Sequence, residues 1–427
     1  MKLSHIKTEW EKYLIIVDPN IVDMILATLV GNAIIQRDPV WLMVVAKSSG
    51  GKTTLLRPTS MVQSVHFIDD LTEKTLLSGY KIKGKETSLL RTIGNGVLAF
   101  SDFTSILAKN PVSRGEILGQ FKLIFDGELK KATGTGSVEW KGKMGFLGAA
   151  TPDIYFHLEQ GRSMGERFTY YWMDQPTDEE IADKQNEVSI SSVEIQNIMG
   201  PMYRDYFVEL RDWVLKNGIP PLKLTPEQRS KIKEASIFCV NGKATVHTNF
   251  KSGKVDQIPN KAGVGRDNKA FDTLLHTFQV MDAFEHDDIN WPLSDERIRL
   301  IQKCAYSSLN RERRKILEVL ANETVSLTAS EIGSREGLGL EKEGVELYLI
   351  PLHAVGIIKK QVTGNKFKWH IEDENVKNFI KEVSQTVKDV LPIDNDEVVE
   401  EESISSKLSD AIKELDQEFP TTPAMKF

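Results

Sequence analysis

Cysteine is nearly missing from this chain. Cys239 and Cys304 are the only two in 427 residues, which excludes a disulfide framework and leaves too few thiolates for a structural zinc site. The eight histidines are scattered without ligand spacing, so a histidine metal centre is not expected either. No apolar run approaches the ~20 residues that a membrane helix needs. The opening MKLSHIKTEWEKY is charged and amphipathic rather than a signal sequence. These absences point to a cytoplasmic protein with no membrane partner, in which 40% hydrophobic residues allow two or three cored domains.

Net charge is −7, but it is unevenly spread. Asp389 to Glu418 holds eleven acidic and two basic residues, a balance of −9, which leaves +2 for the rest. The stretch DNDEVVEEES reads as a disordered linker, followed by a short helical pattern from Ile404 to Phe419 and a loose PTTPAMKF end. Such a segment solubilises the chain or binds a partner as a peptide.

What is present is concentrated in WLMVVAKSSGGKTTLL, Trp41 to Leu56: an apolar strand pattern, a small-residue loop and a helix start. A triphosphate packs several negative charges into a small volume, so its binder needs inward backbone N–H groups, a helix start and one long cation. The loop Ala46, Lys47, Ser48, Ser49, Gly50, Gly51, Lys52, Thr53 and Thr54 fits that need. Gly50 and Gly51 let the backbone approach, Lys52 is the cation, and the Thr53 hydroxyl suits Mg²⁺. The first position of G-x-x-x-x-G-K-[ST] is Ala46 rather than Gly. ATP and Mg²⁺ are the expected cofactors.

GNGVLAFSDFT, Gly94 to Thr104, is a second apolar strand ending in Asp102. The usual Asp-Glu pair is absent. Aligned on the apolar run, Asp102 is the metal-side acid and Phe103 stands for the base; aligned on the Phe, Ser101 is the substituted position and Asp102 the base. Asp69 and Asp70 either supply a second carboxylate or cap a helix. Phe121 to Pro152 reads as a helix, a hairpin around TGTGS bearing Lys130, Lys131, Lys141 and Lys143 with Trp140 among them, and a strand ending at Thr151, poised to sense a γ-phosphate.

The order AKSSGGKT, LAFSDF, helix with basic hairpin, GAATP and GERF resembles the AAA+ ATPases of the minichromosome maintenance type and their relatives in phages and mobile elements, over roughly residues 20 to 370. The resemblance implies sensor 1 at Thr151, an arginine finger at Arg167 with Arg162 as rival, and a lid arginine (sensor 2) at Arg266. It implies a pore hairpin carrying single-stranded DNA and a homo-oligomeric, hexameric ring in which Arg167 serves the neighbouring site. The function implied is an ATP-driven DNA helicase, translocase or replication initiator; the alternative is an ATP-binding switch or scaffold that hydrolyses slowly.

Leu309 to Ile371 reads as helix, helix, helix, hairpin, a winged-helix arrangement. Its third helix is poor in cations, so the wing, with Lys359, Lys360, Lys366 and Lys368, is the expected contact for duplex DNA, unless the module binds protein instead. The expected fold is α/β: an N-terminal helical segment (1–30), an AAA+ core (31–175), a helical lid (176–305), a winged helix (306–372) and an acidic linker and tail (373–427) that offers a site for a replication partner.

Overall fold

The protein is described here by a computed structural model covering residues 1–388 apart from 79–80, 83–84, 87, 134–135, 157–166, 245, 248–254, 262 and 336–337. Arg162, the hairpin tip and the acidic tail therefore lie outside the described residues.

Among the described residues, nine strands belong to the first half of the chain: β1 (Trp41–Val45), β2 (Val65–Ile68), the small pair β3 (Lys81–Ile82) and β4 (Lys85–Glu86), β5 (Val97–Phe100), the hairpin β6 (Glu128–Thr133) and β7 (Gly136–Lys141), β8 (Gly145–Ala150) and β9 (Thr169–Trp172). Five of them form one parallel sheet in the order β2-β5-β8-β1-β9. The chain leaves β1 for the far edge, returns through β5 and β8, and then crosses β1 to reach β9. That reversal puts a crevice at the carboxyl ends of β1 and β8.

Both faces of the sheet are covered, which explains strand sequences that are apolar throughout rather than alternating. Leu42, Val44, Ala99, Leu147 and Tyr171 face one core; Trp41, Met43, Val45, Phe100, Phe146 and Tyr170 face the other. The second core centres on Trp41, Phe103, Phe121, Phe146 and Phe168, with ring centroids 5.3 to 6.0 Å apart in the pairs that meet.

The first core is built from the helices Leu3–Glu11, Asn20–Val30, Ser192–Asn217 and Gly265–His286. Asn20–Val30 is buried all round from Ile21 onward, as expected of a helix enclosed by neighbours. A methyl at Gly31 would meet Thr277 Oγ1 at 2.8 Å, so glycine there lets the two helices approach.

The same core continues into the C-terminal part. Helices Arg311–Asn322, Ala329–Gly333 and Lys342–Ala354 precede the antiparallel pair β10 (Lys359–Thr363) and β11 (Lys366–His370). Leu327 bridges to Trp369 as a third short partner. Gly364 has φ +59°, as the first loop position of a two-residue type II′ hairpin requires. Helix Glu374–Lys388 returns to the body, packing Phe379 against Phe238 with ring centroids 4.7 Å apart. The helical region and this module share one hydrophobic cluster with the sheet, so the boundaries expected at 176 and 306 do not interrupt the core. Among the described residues no helix is long and apolar enough to cross a membrane. Cys239 and Cys304 are separate buried thiols.

Candidate functional site

The loop after β1 leaves the sheet where Ala46 N–H donates to Ala150 O (3.3 Å) at the end of β8, and Met173 N–H, just past β9, donates to Val45 O (2.8 Å). Ala46 is fully buried, so its methyl belongs to the core and the missing first glycine costs the loop nothing in accessibility. Lys47, Ser48 and Ser49 are exposed. Ser49 (φ +61°) and Gly51 (φ +75°) adopt the left-handed conformation, and the Gly50 N–H between them donates to Lys47 O at 3.3 Å. Gly50 lies against the end of the Gln175 side chain: a Cβ there would sit 2.1 Å from Gln175 Oε1, which would have to swing away, and 3.1 Å from Lys47 O. The helix that follows is short, Lys52–Leu56, passing into a 3₁₀ turn at Arg57–Met61 that contains Pro58.

Lys52 is 8% exposed and donates to the loop's own carbonyls, Ala46 O at 2.7 Å and Lys47 O at 2.5 Å. Burial pushes its ammonium down to about 8, with the Asp102 charge acting in the opposite direction. A buried cation held only by backbone oxygens is available for exchange onto phosphate oxygens.

Thr53 Oγ1 donates to Ser101 O at 3.3 Å. Phe103, one of the two alternatives left open by the sequence, is fully buried in the aromatic core and its N–H donates to Ala149 O at 2.7 Å. The Ser101 carbonyl thus meets the Thr53 hydroxyl, and Asp102, whose charge acts on Lys52, follows it. Asp102 is exposed and its Oδ1 accepts from Thr104 N–H at 2.9 Å. Thr104 Oγ1 in turn accepts from Thr151 N–H at 3.0 Å. Ser101, Asp102, Thr104 and Thr151 form one rim beside the P-loop.

Several expected residues lie elsewhere. Arg266 opens the helix Gly265–His286 at the other end of the sheet. Its neighbour Asp267 pairs with Lys243, which also donates to Phe168 O before β9, and Lys269 and Thr273 both reach Asp38 before β1. A five-residue strand spans about 15 Å, so Arg266 is not beside the loop. Arg167 also precedes β9; it is 8% exposed, 3.1 Å from Asp126 and over the Phe125 ring at 5.7 Å. Asp69 pairs with Arg57 and Asp70 with Lys109, which holds the Asp70 carboxyl below its usual range, so neither acid joins the rim.

The hairpin also differs from expectation. Trp140 (5% exposed) and Leu129 face the core, so Trp140 offers no ring to a nucleic-acid base. On the outer face Lys130 and Lys141 interleave with Glu128 and Glu139, the close pairs being 2.8 Å (Lys130–Glu128) and 3.1 Å (Lys141–Glu139). Lys131 donates to Glu73 O, and Lys143 is exposed at the foot. In the C-terminal hairpin Lys359 pairs with Glu372, Lys360 lies 3.6 Å over the Phe367 ring, and Lys366 and Lys368 act on Glu331.

A cleft of about 480 Å³ opens from the P-loop, a feature not read from the sequence. One wall is Tyr13 to Ile16; the other is Met173, Gln175, Pro176 and residues between Ile181 and Ile195. Its apolar sides suit a flat base, and the Gly50–Thr54 loop floors the polar end. The walls are tied together behind: Lys303 bridges Asp18 (2.6 Å) and Asp174 (2.5 Å), and Tyr171 Oη also bonds to Asp18. No protein-family model and no curated protein matches the chain.

Proposed function

We propose that this chain is an AAA+-type P-loop ATPase that binds MgATP in the cleft between Tyr13–Ile16 and Gln175–Ile195 and uses its hydrolysis to move along or remodel DNA, as a helicase, translocase or replication initiator of a phage or mobile element. The observation that carries the reading is the buried Lys52 ammonium folded on the carbonyls of a Gly-rich loop that opens into a cleft with apolar walls. The strand order, with the P-loop strand between the Thr151 strand and β9, supports the AAA+ assignment.

On this reading Lys52 exchanges Ala46 O and Lys47 O for β- and γ-phosphate oxygens. Thr53 and the neighbouring rim would hold Mg²⁺, which neutralises charge developing between those phosphates. Asp102, carried one residue beyond Ser101, orients the attacking water and takes its proton, while its Oδ1 is steadied by Thr104 N–H. Thr151, on the same rim, contacts the γ-phosphate. An Arg167 finger acting on a neighbour in a ring requires the Asp126 pair to open. Three helices, a hairpin and the Leu327–Trp369 bridge support a winged helix, with duplex DNA at its wing.

A second reading, an ATP-binding switch or scaffold with slow hydrolysis, is favoured by one observation: Asp102 is followed by the fully buried Phe103, so no pair of acids ends the β5 strand. ATP turnover of the purified chain with and without single-stranded DNA tests the choice. Turnover stimulated by DNA is expected; binding with negligible turnover under both conditions overturns the motor reading in favour of the switch.

A further inference from the structure

The helix Asp178–Glu187 forms part of the cleft wall and has no buried residue. Its sequence, DEEIADKQNE, holds five carboxylates and one cation, Lys184. Ile181, Lys184 and Gln185, with Val188 just beyond, line the cleft, at the i, i+3, i+4, i+7 spacing that puts them on one face. None of the five carboxylates belongs to the lining. The helix thus segregates its charges, turning its single cation toward a site proposed to receive a polyanion. Lys52 is the other cation of that lining, and Arg266 is at the far end of the sheet.

Lys184 is held only loosely. Its Nζ is 3.4 Å from Glu187 Oε2, a partner whose side chain is 71% exposed. Exposed ion pairs of this spacing contribute little, so exchanging Glu187 for a phosphate gains a stronger, charge-assisted bond at small cost. The helix is bounded by two capping boxes, Thr177 with Glu180 and Ser191 with Glu194, which fix where each helix starts and leave residues 188–190 as the connection.

We propose that Lys184 is the second cation of the nucleotide cleft, leaving Glu187 to bind the polyphosphate and drawing the Asp178–Glu187 helix over the bound nucleotide. The proposal rests on the nucleotide-site reading above and adds to it a residue that discriminates between nucleotides by phosphate charge.

Calorimetric titration of the full chain with MgATP, MgADP and AMP tests it in the parent, Lys184→Ala, Lys184→Arg and Lys52→Ala. Loss of one charge-assisted contact predicts that Lys184→Ala weakens ATP about tenfold, ADP less, and AMP hardly at all, while Lys184→Arg stays within about threefold of the parent. If Lys184→Ala binds ATP like the parent and Lys52→Ala does not, the role of Lys184 is overturned and the nucleotide site stands. Equal weakening of all three ligands overturns it too, because loss of wall packing rather than charge would be the cause. Parent-like ATP binding in Lys52→Ala removes the nucleotide-site reading and this proposal with it.

Discussion

At the scale of single residues, the protonation of Lys52 is the most accessible consequence of the structure. Burial lowers its affinity for a proton to a pKa of about 8, and a bound triphosphate would raise it again. Between pH 8 and the ordinary lysine range the empty site therefore carries less charge than the filled one. Binding in that window takes up a proton, and ATP affinity falls as pH rises through 8. Calorimetry at pH 9 in buffers of different ionisation enthalpy should show this uptake in the parent and lose it in Lys52→Ala. Asp102→Asn should keep ATP affinity within about threefold and lower turnover at least about 100-fold if Asp102 is the base; a rate near the parent's would assign the water to another group. The loop residues were legible because their chemistry is local. Whether Asp102 stands as the metal-side acid or as the base was not, since that depends on which way the end of β5 faces a bound nucleotide; the structure adds that Phe103, the next residue, is buried in the aromatic core.

Among the elements, the two hairpins separate. In β6–β7 the alternation of Leu129 and Trp140 with Lys130 and Lys141 was visible as a period of two, and that period already implies an aromatic turned away from the lysines. What it could not show is the register, Glu128 opposite Lys141 and Lys130 opposite Glu139, which interleaves the charges. Lys141→Ala with Lys143→Ala should consequently weaken single-stranded DNA binding only about twofold, whereas Glu128→Gln with Glu139→Gln should strengthen it and steepen its salt dependence. Filter binding at several salt concentrations distinguishes these; a loss of tenfold or more in the lysine variant would restore the hairpin as a main DNA contact. Lys360→Ala with Lys366→Ala should weaken duplex binding more than single-strand binding if the wing is the duplex contact. Arg266 illustrates a different limit: an arginine opening an amphipathic helix reads the same at either end of a sheet, and only the pairing of Lys269 and Thr273 with Asp38 reveals which end.

For the molecule as a whole, the strand order and the cleft depend on contacts between distant segments, so no window of sequence contains them. Lys303 is the clearest case. It is 8% exposed, lies nearly 300 residues from Asp18, and joins the two cleft walls on the helix that leads to the C-terminal module. Lys303→Met would leave the partly buried Asp18 and Asp174 without their cation and should destabilise the fold by about 2–3 kcal/mol, less than a fully buried pair would lose. Lys303→Arg should recover much of that loss in chemical denaturation; equal stability of parent and Lys303→Met would mean that the bridge carries no weight. The central claim is that MgATP occupies the P-loop cleft. Its most direct test is a structure of the full chain determined from particle images with Mg²⁺ and a non-hydrolysable ATP analogue. The triphosphate is expected within the Ser48–Thr53 loop, with Lys52 Nζ withdrawn from Ala46 O onto its oxygens and the base between Tyr13–Ile16 and the opposite wall of the cleft. Nucleotide bound elsewhere, or a loop still closed on Lys52 at saturating ligand, would contradict it.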